Sequence, residues 1–339
     1  MKAAVFHEHG GVDVLRMEDV PAPVPQSGEV LIRVRAAALN HLDIWTRRGL
    51  PRINMPHIGG SDVAGVVEQL GPDVTGIAPG TRVVVNPSIS CGRCEWCRAG
   101  DDPLCVDYRI LGEHVNGGFA EFVAVPAVNL FPIPLEYPFE RAAAAPLPFL
   151  TAWRALVTKG RAGAGSSVLI TGASGGVATA AIQIARHLGA RVYAVTTSEH
   201  VERVRALGAH VVYDRTTQDF ALEVKRDTDK GGVDVVLDSV GEAIWQQCVR
   251  ALTRGGRLVS YGGTSGHRAA IDIRVLFWKQ IEILGSTMSN RMEFETVMRL
   301  VFAGKLDPVV DQVLPLTEIR NAHERLERGE QFGKIVLVP

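Results

Sequence analysis

The chain has 339 residues, more than one ordinary hydrophobic core accommodates, so two domains are expected. Hydrophobic residues make up 46% and charged residues 22%, a soluble globular composition. Lys and Arg total 36 against 37 Asp and Glu. The resulting net charge of −1 gives no electrostatic ground for a nucleic-acid or anionic-membrane partner and leaves a small-molecule substrate as the expected ligand.

The N-terminal "MKAAVFHEHGG" has no long apolar stretch and reads as a first strand rather than a signal peptide. "EVLIRVRAAAL", "VAGVVEQLG" and "RVVVNP" are short β-branched runs punctuated by turn residues, so the chain is expected to be β-rich to about residue 145. "AAAAPLPFLTAW" is the most apolar run, but it is short and carries two prolines, which argues against a membrane span. Strands and helices then alternate. "SSVLITGAS" reads as a buried strand, and "GVATAAIQIARHLGA" as a helix with apolar residues at i, i+3 and i+4, closed by Gly189. "RVYAVTT", "HVVYD", "VDVVLDSVG", "GRLVSYGG" and "IEILGST" follow as strands, with a helix near 242–253 carrying Cys248 as a core residue. Such repetition predicts a doubly wound parallel sheet. A helix in "MEFETVMRLVFAG" and a strand in "GKIVLVP" end the chain.

Four of the five cysteines, Cys91, Cys94, Cys97 and Cys105, fall within residues 86–108. Two C-x-x-C steps share Cys94, and four thiolates close a tetrahedral shell, the mark of a structural zinc. Disulfides and inert buried thiols are the competing readings, but three closely spaced cysteines pair awkwardly. Metal spacing without an export signal points to a reducing cytoplasm.

"VLITGASGGVATA" sets Gly172, Ser174, Gly175, Gly176 and Val177 between a strand and a helix. Small residues there let the backbone approach a pyrophosphate, and the helix N-terminus offers N–H donors and a positive dipole end. Ala178 takes the last small position of this dinucleotide fingerprint. An NAD site usually ends the second strand with an acid for the ribose 2′-hydroxyl, but this strand ends "AVTTSEH". Ser198 leaves room for a 2′-phosphate, and His200, Arg203 and Arg215 offer positive charge. The competing reading is that these are solvated helix and loop residues, which Glu199 nearby favours; NADP(H) is the favoured expectation and NAD(H) the alternative.

These segments, with "GEVLIRVRAAALNHLD", "GGSDVAGVVEQLG", "PGTRVVV", "GGFAEFVAV", "FLTAW" and "FGKIVL", resemble the medium-chain dehydrogenase/reductase superfamily over essentially the whole length. The resemblance implies an α/β chain. A GroES-like β-rich catalytic domain spans 1–148 and 287–339 and includes the zinc lobe, and a Rossmann domain spans 149–286. It also implies that the strand near "IEILGST" pairs across a homodimer, or within a homotetramer. Zinc alcohol dehydrogenases of this family hold a catalytic zinc by Cys, His and Cys. Those positions carry Asn40, Ser61 and Leu147 here, which cannot replace two thiolates and an imidazole. Leu42 replaces the hydroxyl that begins the alcohol proton relay. The pattern resembles the quinone oxidoreductase and enoyl reductase branch.

That resemblance implies hydride transfer from NADPH to an activated C=C bond or a quinone. Asn40 is then either an amide donor near the nicotinamide or a residue fixing the local turn. Asp43 orients the loop, and Ser61 offers a hydroxyl to substrate. His41 is a cofactor or proton-relay residue, or simply structural. Asp62 matches an acid behind the lost ligands and Lys334 a base near the pyrophosphate, so a charge pair between them is expected. Thr151, Val240, Gly241, Tyr261, Gly262 and Thr287 fall where the family lines the nicotinamide and ribose pocket, although several equally suit strand-end turns. The rival readings are an alcohol dehydrogenase with an unusual metal site built from His41, His57, Asp43 or Asp62, and a dinucleotide-binding scaffold with little turnover.

Overall fold

The first long strand, β1 (Glu29–Ala38), shows what organises the N-terminal part: Ile32, Val34 and Ala36 are buried, while Arg33 and Arg35 between them face solvent. This period of two gives one wet face and one core face. The computed structural model describes residues 1–229 and 231–339, which divide into two units. The first comprises Met1–Leu147, Ser289–Gly304 and Pro308–Pro339, and the second Pro148–Met288 with Lys305–Asp307.

In chain order, β1 leads into α1 (His41–Gly49), β2 (Asp62–Leu70), β3 (Arg82–Val85), β4 (Phe122–Pro126) and β5 (Leu130–Pro132). The second unit supplies β6 (Ser167–Ile170), α2 (Gly176–His187), β7 (Arg191–Thr196), β8 (Val211–Asp214), β9 (Val233–Asp238), β10 (Leu252–Ser260) and β11 (Glu282–Gly285). The chain returns through α3 (Arg291–Phe302), β12 (Val310–Pro315), α4 (Ile319–Glu327) and β13 (Lys334–Val338).

The first unit is built on the sheet β5-β3-β2-β1-β13-β12, with β4 also pairing β1. A three-stranded sheet of Arg16–Asp19, Lys2–Phe6 and His57–Ile58 stands beside it. Its core is aliphatic, including Val30, Ile32, Val63, Val83, Val123, Ile335 and Leu337. Because β13 pairs β1 at Ala37 and Ala38, Lys334 at its start is drawn beside the end of β1. That pairing places a C-terminal lysine beside Leu39 and Asn40.

The second unit is a six-stranded sheet, all parallel, in the order β8-β7-β6-β9-β10-β11. The chain runs outward from β6 to β8, then crosses to β9 on the other side. That reversal opens a crevice at the carboxyl ends of β6 and β9, where such sheets bind ligands. Helix α2 buries Ala178, Ala181, Ile182 and Ala185, the 3.6-residue stripe expected from its sequence. Gly189 closes it with φ +77°. Cys248 is fully buried in this unit's core. Among the described residues no helix is long and apolar enough to cross a membrane.

One core residue of the first unit is out of place chemically. His323, on α4, is 1% exposed, its ring lies 6.3 Å from that of Phe119, and neither nitrogen has a hydrogen-bond partner. Burial, with the charge of Arg47 adding, holds its pKa down to about 3. A histidine neutral when folded and protonated near 6.5 when unfolded contributes stability above that value and loses it as pH falls toward 3. The melting temperature is therefore expected to fall steeply below about pH 6.5. His323→Leu should flatten this acid limb. Melting curves from pH 7.5 to 4.5 check it, and an unchanged limb would remove His323 as its cause.

Candidate active site

The three positions noted for their lost ligands are brought together in the first unit, around one carboxylate. Asp62, at the start of β2, is fully buried. Its Oδ1 accepts the Leu147 N–H at 2.7 Å, and its Oδ2 accepts the Asn40 side-chain amide at 2.9 Å and the Lys334 ammonium at 3.0 Å. Lys334 is 4% exposed and also donates to the Leu39 carbonyl and to Asn40 Oδ1. The charge pair expected between Asp62 and Lys334 is thus present. Burial pulls the lysine pKa below its usual range, and the Asp62 carboxylate opposes that shift.

Asn40 precedes α1, and its side chain bridges the pair: the oxygen accepts a hydrogen bond from Lys334, and the nitrogen donates to Asp62 and, at 3.4 Å, to the Ala38 carbonyl. Both ends of the amide are therefore engaged within the protein. Asp43 binds the start of α1 to the neighbouring turn, accepting the Asn40 N–H at 2.7 Å and the Gly60 N–H at 2.9 Å. Burial raises its pKa to about 7 against those donors and Lys334. Gly60 needs its φ of +97°, and a Cβ there would meet Phe119 at 2.8 Å. The adjacent Ser61 hydroxyl is fully buried and has no protein hydrogen-bond partner. His41 is half-buried with its ring 6.0 Å from that of Trp45, and burial followed by Arg48 lowers its pKa. His57 is buried, and its Nε2 lies 3.0 Å from the Gly112 carbonyl.

The cysteine lobe has the geometry of a metal shell. The four Sγ atoms all lie within 4.8 Å of one another, with Cys91–Cys97 at 3.9 Å and Cys94–Cys97 at 3.5 Å. A tetrahedron of thiolates about 2.3 Å from zinc needs sulfur spacings of about 3.8 Å. Backbone N–H groups of Cys91 and Asp107 point at Cys105 Sγ, and that of Cys94 at Cys91 Sγ, at 3.3–3.4 Å, as sulfur anions require. The residues fit zinc, with no position open to substrate. Among the described residues no second group of three or more His, Cys, Asp or Glu side chains converges in this way. The lobe is clasped by α3: Asn290 donates to the Gly100 carbonyl at 2.8 Å, and the Arg291 N–H donates to Asp102 at 3.0 Å.

In the second unit the glycine cradle follows β6. Gly172 has φ +58°, Gly175 donates its N–H to the Gly172 carbonyl, and α2 begins at Gly176. The first N–H groups of a helix have no partners within it and favour an anion, so Gly172–Val177 fit a dinucleotide pyrophosphate. Ser174 and Val177 lie half-buried in the same segment. Asp238, at the end of β9, braces the crevice: it accepts the Thr171 hydroxyl at 2.7 Å and the N–H groups of Val240 and Gly241 at 3.1 and 2.9 Å. Tyr261 donates its N–H to the Asp238 carbonyl, and Gly262 lies against Ser239. Thr151 is buried with its hydroxyl 3.9 Å from Met288 Sδ, and Thr287 is exposed.

The residues considered for a 2′-phosphate lie at and just beyond the ends of β7 and β8. Ser198 gives its hydroxyl proton to Asp214, His200 is buried with Nε2 3.6 Å from Glu199, and Arg215 is exposed with its main-chain N–H on the Thr196 carbonyl. Asp214 and Asp238 were not singled out from sequence. Each ends a strand one or more places away from the strand that the fingerprint names.

The Lys334–Asp62 pair makes an energetic prediction. Removing one partner of a buried pair leaves an uncompensated charge, at a cost of about 3–5 kcal/mol. Lys334→Met should destabilise by that order, while adding Asp62→Asn should recover part of the loss. Urea denaturation of both single variants and the double gives the coupling, and additive losses would mean the pair is energetically idle.

The alcohol dehydrogenase GroES-like domain family matches residues 26–135, and the zinc-binding dehydrogenase family matches residues 176–303. An acryloyl-coenzyme A reductase of Metallosphaera sedula is 33% identical over 342 residues, 99% of each chain. A quinone oxidoreductase of Mus musculus is 33% identical over 354 residues, covering 100% of this chain and 98% of its own. Among solved structures, an NAD-dependent alcohol dehydrogenase is 46% identical with a TM-score of 0.96, with 100% of both chains covered. Matched in both units and along its full length, the chain belongs to the medium-chain dehydrogenase/reductase superfamily and is an oxidoreductase that uses a nicotinamide cofactor.

Proposed function

We propose that this oxidoreductase reduces an activated C=C bond or a quinone, and that its zinc is structural only. The carrying observation is the cluster at Asn40, Ser61 and Leu147, where a buried lysine–aspartate pair is joined through an amide and a backbone N–H. An ammonium bonded to Leu39, Asn40 and Asp62 leaves these groups committed to one another rather than to a cation. The bound nicotinamide supplies the hydride. Without a Lewis acid, an isolated carbonyl oxygen loses several kcal/mol of charge stabilisation, whereas a conjugated acceptor spreads its charge over an enolate or hydroquinone. A few hydrogen bonds then suffice. Ser61 has a hydroxyl with no protein partner in this cluster and is the residue we assign to the developing oxyanion, with Asp43 holding the Gly59–Ser61 turn and Asn40 locking α1 in register. The names of the acryloyl-coenzyme A reductase and quinone oxidoreductase relatives support this acceptor class.

The alcohol dehydrogenase neighbour supports the rival reading, in which a second metal is recruited. Asp43 and His57 speak against it, since their polar atoms already bond backbone groups. The test combines metal analysis with turnover. About one zinc per chain and sustained oxidation of reduced cofactor with alkenals, enoyl thioesters or quinones is the expected result. About two zincs with oxidation of simple alcohols would overturn it, and stoichiometric cofactor binding without turnover would favour a scaffold.

We further propose that a second copy of the chain pairs along β11. This strand is a sheet edge with Ile283 exposed, and the neighbouring helix Ile273–Lys279 leaves Ile273, Phe277 and Trp278 more than half exposed. An uncovered edge beside large apolar side chains suits a twofold strand pairing. Light scattering should give a dimer or a multiple of it. Phe277→Asp with Trp278→Asp should give a folded monomer; a wild-type monomer would dismiss the idea.

A further inference from the structure

The corner formed by the ends of β7 and β8 is built around a carboxylate, that of Asp214, with the exposed Arg215 next in the chain. The two strands are parallel neighbours, and Thr196 pairs with Asp214 in register. The Asp214 carboxylate is the hub of this corner. Ser198 donates its hydroxyl proton to Oδ2, while Oδ1 accepts the Thr216 N–H at 2.9 Å and the Thr216 hydroxyl at 2.6 Å. These bonds, that of Ser198 first, hold its pKa below the ordinary aspartate range, so the group is ionised at neutral pH. Thr197 donates to a second carboxylate, Glu199, at 3.2 Å. Ser198 and Thr216 Oγ atoms lie 3.1 Å apart, both with protons directed at Asp214, so each presents lone pairs to a ligand. Lone pairs and a carboxylate accept from a hydroxyl and repel a phosphate.

In a sheet of this order the adenosine ribose lies over the end of the second strand, where an acid usually receives its 2′-hydroxyl. Here β7 ends in hydroxyl residues, and the acid at the end of neighbouring β8 bonds to Ser198 just beyond it. We infer that Asp214 is the residue that selects the dinucleotide: it accepts the ribose 2′-hydroxyl of NAD(H), with Ser198 fixing the carboxylate, and excludes the 2′-phosphate of NADP(H). The inference rests on the dinucleotide-binding unit, not on the identity of the hydride acceptor. Asp214 also terminates a turn through Thr216, so a purely structural role is the competing account.

Equilibrium binding of NADH and NADPH, followed by nicotinamide fluorescence without any hydride acceptor, separates the two. The wild type should bind NADH at least about tenfold more tightly than NADPH, a difference that shrinks with added salt because the carboxylate is near solvent. Asp214→Asn keeps the turn's acceptor oxygen but not the charge, and should lower this ratio by about tenfold, mainly by strengthening NADPH binding. Ser198→Ala removes one bond to the carboxylate but not its charge, and should lower the ratio by less than Asp214→Asn does. A wild type that favours NADPH would overturn the assignment. So would an Asp214→Asn variant with a lower melting temperature and an unchanged ratio, which assigns the residue to the turn alone. Failure of the wild type to bind either dinucleotide would instead sink the cofactor site itself, whereas failure to reduce alkenals or quinones leaves the assignment of Asp214 standing.

Discussion

The first unit depends on keeping one ammonium group in a place water does not reach. A lysine at 4% exposure persists as a cation only if its protons have partners and its charge is balanced. Lys334 meets both demands with Leu39, Asn40 and Asp62, groups separated by up to 295 positions in the chain. Asp62 in turn holds the Leu147 N–H. One ion pair therefore ties together the end of β1, the start of β2, the last residue before the second unit and the first residue of β13. Asp43 extends the same network to Gly60, so the turn bearing Ser61 is set by charge as much as by packing.

The parts of this molecule legible in sequence are those whose physics is local. The 3.6-residue stripe of α2, the Gly189 cap and the Gly172–Gly176 cradle are each specified within a dozen residues, and they lie where the sequence places them. The cysteine shell closes within residues 91–105, so its spacing alone implies its geometry. The Asp62–Lys334 pair was legible only through resemblance, since nothing local in "FGKIVL" reveals that its lysine is buried. What escaped depends on strand order. Asp214 looks like an ordinary strand-ending acid until β8 is laid beside β7, and only then does its carboxylate reach Ser198. Asp238 likewise joins Thr171 to the turn at Val240 and Gly241 only because β9 crosses to the far side of β6.

The same contrast between local and distributed sites bears on the zinc that the cysteine lobe fits. A shell made by four cysteines on one lobe is held by its own backbone N–H···S bonds and by the clasp of α3 on Gly100 and Asp102. It does not depend on what happens at residues 40, 61 or 147. A catalytic shell would draw one ligand from each of those three distant positions, and losing thiolate or imidazole at any of them opens the tetrahedron. Asn40 is more than a lost ligand. Its amide gives one face to a carboxylate and the other to an ammonium, which neither a thiolate nor an aliphatic residue can do. Cys at 40 would thus remove the amide bridge between Lys334 and Asp62 and leave Asp62 without the donor that Asn40 supplies. The hydrogen bonds of Asn40 hold it in the polar cluster, and the proposed metal-free hydride transfer rests on that arrangement.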